Sequence, residues 1–320
     1  METVLKLAVS VLNYRTADLS VKATQATIDA LLNRDFSWHI FIVDNDSQDS
    51  SENTLRAHVA AQRKAAAPGW DKVEVHQTGH NGGFGAGNNY AIKTAQAQFP
   101  ELEYVYILNS DAFPEKDAIV SLMDFLDSNP NYGFAGSYIY GTDDEPHNTA
   151  FRFPSPLGEL EGAVRFGPVT RLLRNYQVPM GIQAESCDAD WLAGASMLMR
   201  IKTLDAVGLF DETFFLYFEE TDLSLRAQRA GWPTRYIAQS RVLHIGSVST
   251  GMKKWQRIPQ YWLDSRKHYF VKNHGRMTFL FATFLRTLGG LLYQLRCLVE
   301  GKKNPDPDCF IRDMLRHAFK

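Results

Sequence analysis

Cysteine is scarce: three residues in 320, Cys187, Cys297 and Cys309. An odd number without metal-ligand spacing argues against a disulfide framework or a structural zinc site and fits a reducing cytoplasm. Net charge is also slight, −2 from 34 Lys/Arg and 36 Asp/Glu. It is unevenly spread, because residues 251–320 hold 14 Lys/Arg against 5 Asp/Glu. That end of the chain calls for an acidic neighbour or surface. No apolar run reaches the about 18–20 residues of a membrane-spanning helix. Met277 to Val299 comes nearest, and Arg286 and Arg296 interrupt it, so it can lie on a membrane without crossing one. The opening METVLKLAVSVLNYR lacks a basic n-region and a small-residue cleavage site, so a cytoplasmic chain is expected. A phosphate-loop G-K-S/T is absent, as is any nucleic-acid recognition motif, and no nucleic-acid partner is expected. Gly83, Gly85 and Gly87 space as G-x-G-x-G, but Asn88 stands where G-x-G-x-x-G needs its third glycine. The run also follows the third strand rather than the first, which disfavours a dinucleotide-binding dehydrogenase.

What is present is an alternation of strand and helix signals. Leu5–Leu12, Trp38–Val43, Val73–His76 and Tyr104–Leu108 read as apolar strands. Between them lie helical stretches over about 17–32, from 51 to before Pro68, and over 88–98, with another over 115–126. This order predicts an α/β fold with a mainly parallel sheet and helices on both faces. Gly133–Tyr140 continues as a strand, Gly141–Ser186 reads as loops, Trp191–Arg200 as one strand and Thr203–Val207 as a short helix. Thr234–Ile237 and Val242–His244 read as two short extended pieces, and the chain beyond Pro259 as helical. The expected organisation is a catalytic domain over 1–250, with a nucleotide-binding half 1–130 and an acceptor-binding half 131–250, then a basic helical extension over 251–320.

Chemistry concentrates where polar residues end apolar strands. Asn109-Ser110-Asp111 closes the fourth strand, the position where open α/β sheets bind ligands; a carboxylate there can hold Mg2+ or Mn2+ against a diphosphate. The same residues also suit an Asx turn. Asp44 and Asp46 follow the second strand and could receive a nucleoside or cap the next helix. GHNGGFGAGNN, Gly79–Asn89, can bring backbone amides close to phosphate or sugar. In FFLYFEETDLSLR, Phe214–Arg226, an aromatic wall gives way to Glu219, Glu220 and Asp222. Carboxylates beside such a wall are candidates for a general base. Alternatively Thr221 caps a helix there, with Gly231 ending it and Asp222 pairing Arg226.

Taken in order, VSVLNYR, IVDNDSQD, NGGFGAGNN, YVYILNSDAFP, DADWLAGASMLMR, FDETFFLYFEETDLSLRAQRAGW and VLHIGSVSTG resemble the inverting glycosyltransferases of family 2, particularly bacterial rhamnosyltransferase-like members. The resemblance spans about residues 5–275. It implies a GT-A fold, a nucleotide-diphospho-sugar donor with rhamnose as a candidate sugar, and a saccharide or lipid-linked saccharide acceptor in cell-surface polysaccharide synthesis. By the same resemblance Asp111 and His244 hold a divalent cation, Mn2+ or Mg2+. Asp44 and the backbone near Asn13 anchor the nucleoside; Gly82, Gly83, Asn88, Asn109 and Ser110 complete the donor pocket. Trp191, Leu192, Ala193 and Gly194 face the acceptor, Glu220 is the base and Glu219 its neighbour in the catalytic pair. Two positions depart from the family: Asn109 replaces the first aspartate of D-x-D, and Glu220 stands where the pair Glu-Asp has its aspartate. The basic C-terminal region suggests peripheral attachment to an anionic membrane, on its cytoplasmic face. A noncatalytic sugar-binding protein and a sugar nucleotidyltransferase are the alternatives; the latter would carry a basic glycine-rich loop where Asn13-Tyr14-Arg15 stands.

Overall fold

The computed structural model describes residues 5–246 and 255–319. Ser247–Gly251 of the VLHIGSVSTG string, and Lys253, Lys254 and Lys320 of the basic end, lie outside the described residues.

The chain begins with three parallel strands wound through helices: β1 Leu7–Asn13, α1 Ala17–Leu31, β2 Trp38–Asp44, α2 Ser51–Lys64 and β3 Val73–Gln77. Helix α3 Gly83–Gln98 leads to β4 Tyr104–Asn109, the short β5 Ala112–Pro114, α4 Ala118–Ser128 and β6 Phe134–Tyr140. Beyond these come β7 Ala150–Phe151, α5 Pro156–Val164, α6 Gly167–Leu172, β8 Cys187–Ala189, β9 Trp191–Leu192, β10 Ser196–Arg200 and α7 Ile201–Val207. Helix α8 Glu219–Arg229 and β11 Thr234–His244 precede three C-terminal helices, α9 Gln260–His274, α10 Arg276–Glu300 and α11 Phe310–Ala318.

The sheet runs in the order β3-β2-β1-β4-β10-β6-β11-β5, with β8 on the side of β11. β1 pairs in parallel with both β2 and β4, and β2 with β3, whereas β10 enters antiparallel between β4 and β6. Alternation along β1 explains the layers. Leu7, Val9 and Val11 pack into one core with Ile28 and Leu31 of α1, Leu55 of α2 and Leu122 of α4. Ala8 faces the other core with Ile92 of α3, Leu204 of α7 and Leu223 of α8. The α/β expectation with helices on both faces holds.

Several local expectations need correction. Most of the glycine-rich run is helix: α3 starts at Gly83, five residues before the expected Asn88, and only Gly79–Gly82 precede it as loop. Glycine is required there by contact. Gly83 has φ +91°, and a Cβ on it would overlap the Phe215 carbonyl. Gly141–Ser186 is not loop throughout, because Ser155, accepting from Gly158 N at 3.1 Å, caps α5 with Pro156 at its first position. The single strand expected over Trp191–Arg200 is broken at Ala193-Gly194-Ala195, between β9, which pairs with β7, and β10. Thr234–His244 is one strand, with an irregularity between Ile237 and Arg241. Thr221 does not cap α8; Phe218 precedes it in a left-handed conformation and Thr221 sits in the first turn.

Candidate functional site

The carboxyl ends of β1, β2 and β4 open into a cavity of about 550 Å³. Leu12 and Tyr14 come from β1 and its end, Asn45 from β2, Asn109, Ser110 and Asp111 from β4, and Gly83 and Phe84 from the start of α3. Ala193, Gly194 and Ala195 enter from the strand break, and His244 and Gly246 from the end of β11. Each arrives at a strand end or helix start because backbone groups there are not consumed by the ladder.

Asp111 is held firmly in this cavity. Its Oδ1 lies 3.1 Å from His244 Nε2, and its Oδ2 accepts from Gly246 N at 3.1 Å. Burial opposes its ionisation, yet the hydrogen bond with His244 and backbone N–H groups hold it below the usual carboxylate range. Asn109 Nδ2 lies 3.4 Å from the same His244 nitrogen. The two side chains expected to hold the cation, Asp111 and His244, thus lie together, with Asn109, in the place of the family's first aspartate, beside them. They amount to one carboxylate, one imidazole and one neutral amide. Among the described residues no group of three or more His, Cys, Asp or Glu is arranged to hold a metal. The donor set fits a cation that takes its other ligands from a diphosphate, not a closed all-protein site.

The residues expected at the nucleoside divide into two layers. Asp44 and Asn13 are buried, at 1% and 0% exposure. Asp44 accepts from Asn13 Nδ2, from Ser47 N at 3.2 Å and Oγ, and from Gln77 Nε2 at 2.8 Å. Asn13 Oδ1 accepts from Ser20 Oγ at 2.8 Å and Thr16 Oγ1 at 3.2 Å, and the Thr16 and Ser110 hydroxyl oxygens lie 2.8 Å apart. Asn13 and Asp44 therefore brace β1, β2 and the β4 turn beneath the cavity, and their neighbours Leu12, Tyr14 and Asn45 present the surface. Asn88 likewise works within the fold, accepting from Ser10 Oγ at 2.9 Å and donating to Phe84 O at 3.0 Å.

The aromatic-acidic segment closes the cavity's far side. Tyr217 and Phe218 both have left-handed backbones, φ 70° and 71°, a costly pair for aromatic residues that surrounding contacts must enforce. Phe84 N donates to Phe215 O at 3.0 Å and Ser265 Oγ to Leu216 O at 3.0 Å, fixing the turn from two sides. The turn delivers Glu219 and Glu220 at the start of α8. Glu219 is 2% exposed. Burial, then the neighbouring Glu220, raise its carboxyl well above the usual range. Burial lifts Glu220 to about 7, with the Gly194 N–H among the groups opposing the rise. The Oε2 atoms of both are buried, with no hydrogen-bond partner among the described residues.

Glu220 also lines a second cavity of about 320 Å³ with Trp191, Trp262, Pro179, Glu159 and Arg286. Tyr217 borders both cavities, and Gly194, which faces Glu220, lines the first. Trp191 stacks on Phe151 at 4.2 Å and 15°, its Nε1 donating to Arg152 O at 2.9 Å, while Leu192 is buried core. Asp222 stands apart: it accepts from Arg226 Nε and Lys272 Nζ, both at 2.8 Å, and anchors α8 to α9. Sequence reasoning missed Tyr261, which reaches the first cavity, and Trp262 and Arg286, which reach the second. No local pattern marks them, because helices far along the chain carry them. Asn45, beside Asp44 in DNDS, was within reach of the strand-end argument.

Comparison with known proteins bears on the family and the fold. Residues 17–185 match the family model described as Glycosyl transferase family 2. The N-acetylglucosaminyl-diphospho-decaprenol L-rhamnosyltransferase of Mycobacterium tuberculosis is 27% identical over 224 residues, 66% of this chain and 68% of that protein. Rhamnosyltransferase WbbL of Escherichia coli is 24% identical over 165 residues, 51% of this chain and 60% of that one. Among solved structures, residues 1–349 of S. aureus TarS superpose with a TM-score of 0.52 at 14% identity, covering 91% of this chain and 72% of that one. Mannosyltransferase PcManGT from Pyrobaculum calidifontis, in complex with GDP-Man and Mn2+, gives 0.53 at 12% identity, covering 98% of this chain and 86% of that one. The structural likenesses establish the GT-A fold, and with the family match over more than half its length the chain belongs to glycosyl transferase family 2 and is a glycosyltransferase.

Proposed function

We propose that the first cavity binds a nucleotide-diphospho-sugar, the second a saccharide acceptor, and that Glu220 between them is the general base of an inverting transfer. The observation that carries this reading is the placement of one carboxyl, unpartnered at Oε2 and lifted to about 7, at the boundary of the two cavities. A base poised near the working pH is what proton removal from a hydroxyl requires. In the reaction the acceptor O–H gives its proton to Glu220 as the oxygen attacks the anomeric carbon. The bond from that carbon to the diphosphate oxygen breaks, and the nucleotide diphosphate leaves with the electron pair. Attack opposite the leaving group inverts the anomeric centre.

Tyr14, Asn45 and Phe84 receive the nucleoside and sugar, with Asn13 and Asp44 holding the strand ends in register beneath them. Asp111 and His244 would hold a divalent cation; when bound, it supplies positive charge that stabilises the departing diphosphate. Trp191 and Trp262 offer apolar faces to the acceptor sugar. Glu219 supports the turn without reaching solvent. The donor sugar is proposed to be rhamnose and the acceptor a lipid-linked saccharide, as the names of the relatives in M. tuberculosis and E. coli suggest.

The test is a thermal-shift panel of nucleotide diphosphates and their sugars, with and without Mn2+, followed by transfer assays on the donor that stabilises most. Specific stabilisation by one nucleotide-sugar class is expected. A uniform null response, together with no transfer, would overturn the reading.

A further inference from the structure

The outward face of α10 is apolar throughout and covered by nothing among the described residues. Met277, Phe281, Phe284, Leu288, Leu291 and Leu295 recur at alternating intervals of four and three, and are 40% to 78% exposed. Leu298 and Val299 extend the stripe at 80% and 81%. At 1.5 Å per residue, the 25 residues of α10 span about 37 Å. The opposite face already packs inward through Phe279, Ala282 and Gly289, so the outer stripe is surplus to folding. Contiguous exposed apolar surface of this extent marks an interaction site. No helix among the described residues is long and apolar enough to cross a membrane.

We propose that this stripe docks on an anionic lipid surface, lying in the interface with its apolar side chains immersed. Charge selects this occupant. Arg276 opens the helix, and Lys302 and Lys303 follow its end. The stripe also borders α6: Arg296 of α10 lies 5.7 Å from the Phe166 ring, and beyond Phe166 come exposed Arg171, Leu172 and Arg174. Two carboxylates near the end of the helix are paired, Glu300 with Lys302 at 2.8 Å and Asp306 with Arg165. Among the described residues no carboxylate pairs Arg171, Arg174, Arg276 or Lys303. An apolar stripe rimmed by cations suits an acidic bilayer surface. A second copy of the chain fits poorly, because pairing two stripes in either direction sets a basic end against another basic end.

Docking there deepens the proposed lipid-linked acceptor reading. The wall of the second cavity includes Arg286, on the inward side of the same helix. A headgroup carried at the surface would therefore meet the helix that borders the acceptor cavity.

The experiment is flotation of the full-length protein with phosphatidylcholine vesicles, with and without phosphatidylglycerol. Binding to the anionic vesicles, weakened at least severalfold by high salt, is expected. Phe284→Ser with Leu291→Ser should reduce it more than tenfold while keeping the wild-type melting temperature, since both residues are exposed. Lys302→Glu with Lys303→Glu should weaken binding to anionic vesicles selectively. Glu220→Gln, inactive in transfer on the proposed mechanism, should float like wild type, which separates failure of docking from failure of the catalytic assignment. Equal flotation of the Ser double variant and wild type would overturn the proposal. So would absence of vesicle binding together with a concentration-dependent dimer that the Ser variant abolishes.

Discussion

Glu220 faces Gly194 across the boundary between two cavities: a Cβ added to Gly194 would lie 3.8 Å from Glu220 Oε1. The carboxyl comes from a strained turn ahead of α8, and the glycine from the break between β9 and β10. Because Gly194 carries no side chain, the break leaves open space between the carboxyl and the first cavity.

The first prediction concerns the turn itself. Gly83→Ala places a side chain against the Phe215 carbonyl and forces a left-handed residue, so it should cost on the order of 1–3 kcal/mol in denaturant unfolding. Transfer should fall further than folding does, because Tyr217 and Phe218 lose the contact that fixes them. Wild-type activity in a folded Gly83→Ala protein would separate the turn from catalysis.

Stability should respond to pH through the two glutamates. Folding raises Glu220 to about 7 and Glu219 well above the usual range, so the folded chain binds protons that the unfolded chain has released. The cost of burying the charge is absent below the unfolded value near 4.5, grows as pH rises, and is complete above the folded value. Glu220→Gln should therefore stabilise the protein at pH 8 by on the order of 1–3 kcal/mol and hardly at pH 4.5. Melting curves of both proteins across this range give the difference; a constant offset would contradict the burial account.

A third prediction tests the tie between the C-terminal helices and the second cavity. Glu159 accepts from Arg266 Nε at 3.1 Å and Arg286 Nη1 at 3.1 Å, with Arg266 only 1% exposed. Glu159→Ala leaves the buried Arg266 uncompensated and should cost about 3–5 kcal/mol. Urea unfolding reads it directly.

Much of this arrangement was legible in the chain, for physical reasons. β1, β2 and β4 are apolar runs that end in polar residues, so both the strands and the polar ends that meet at the first cavity showed in residue order. Asp222 with Arg226 at 2.8 Å was readable as an i,i+4 pair. What stayed hidden depends on contacts distant in sequence. Gly83 looked like loop because its need for glycine arises from Phe215, 132 positions away. Trp262 and Arg286 join the second cavity only through the packing of α9 and α10, which no local periodicity reveals.

The cation assignment predicts that Asp111→Asn and His244→Ala each raise the Mn2+ concentration needed for half-maximal transfer. The rise should be at least the roughly tenfold that losing an outer partner of a metal ligand costs. Titration of Mn2+ into chelator-treated protein checks this. Full activity without added metal would remove the cation from the scheme.

The most direct test of the central claim is the pH dependence of kcat/KM for wild type, Glu219→Gln and Glu220→Gln. Because the base must be ionised, wild type should rise with pH through an apparent value near 7. Glu220→Gln should lose about 10²–10⁴-fold and that rising limb with it, while Glu219→Gln keeps the limb. A Glu220→Gln protein that retains near-wild-type transfer and the same rise would contradict the account.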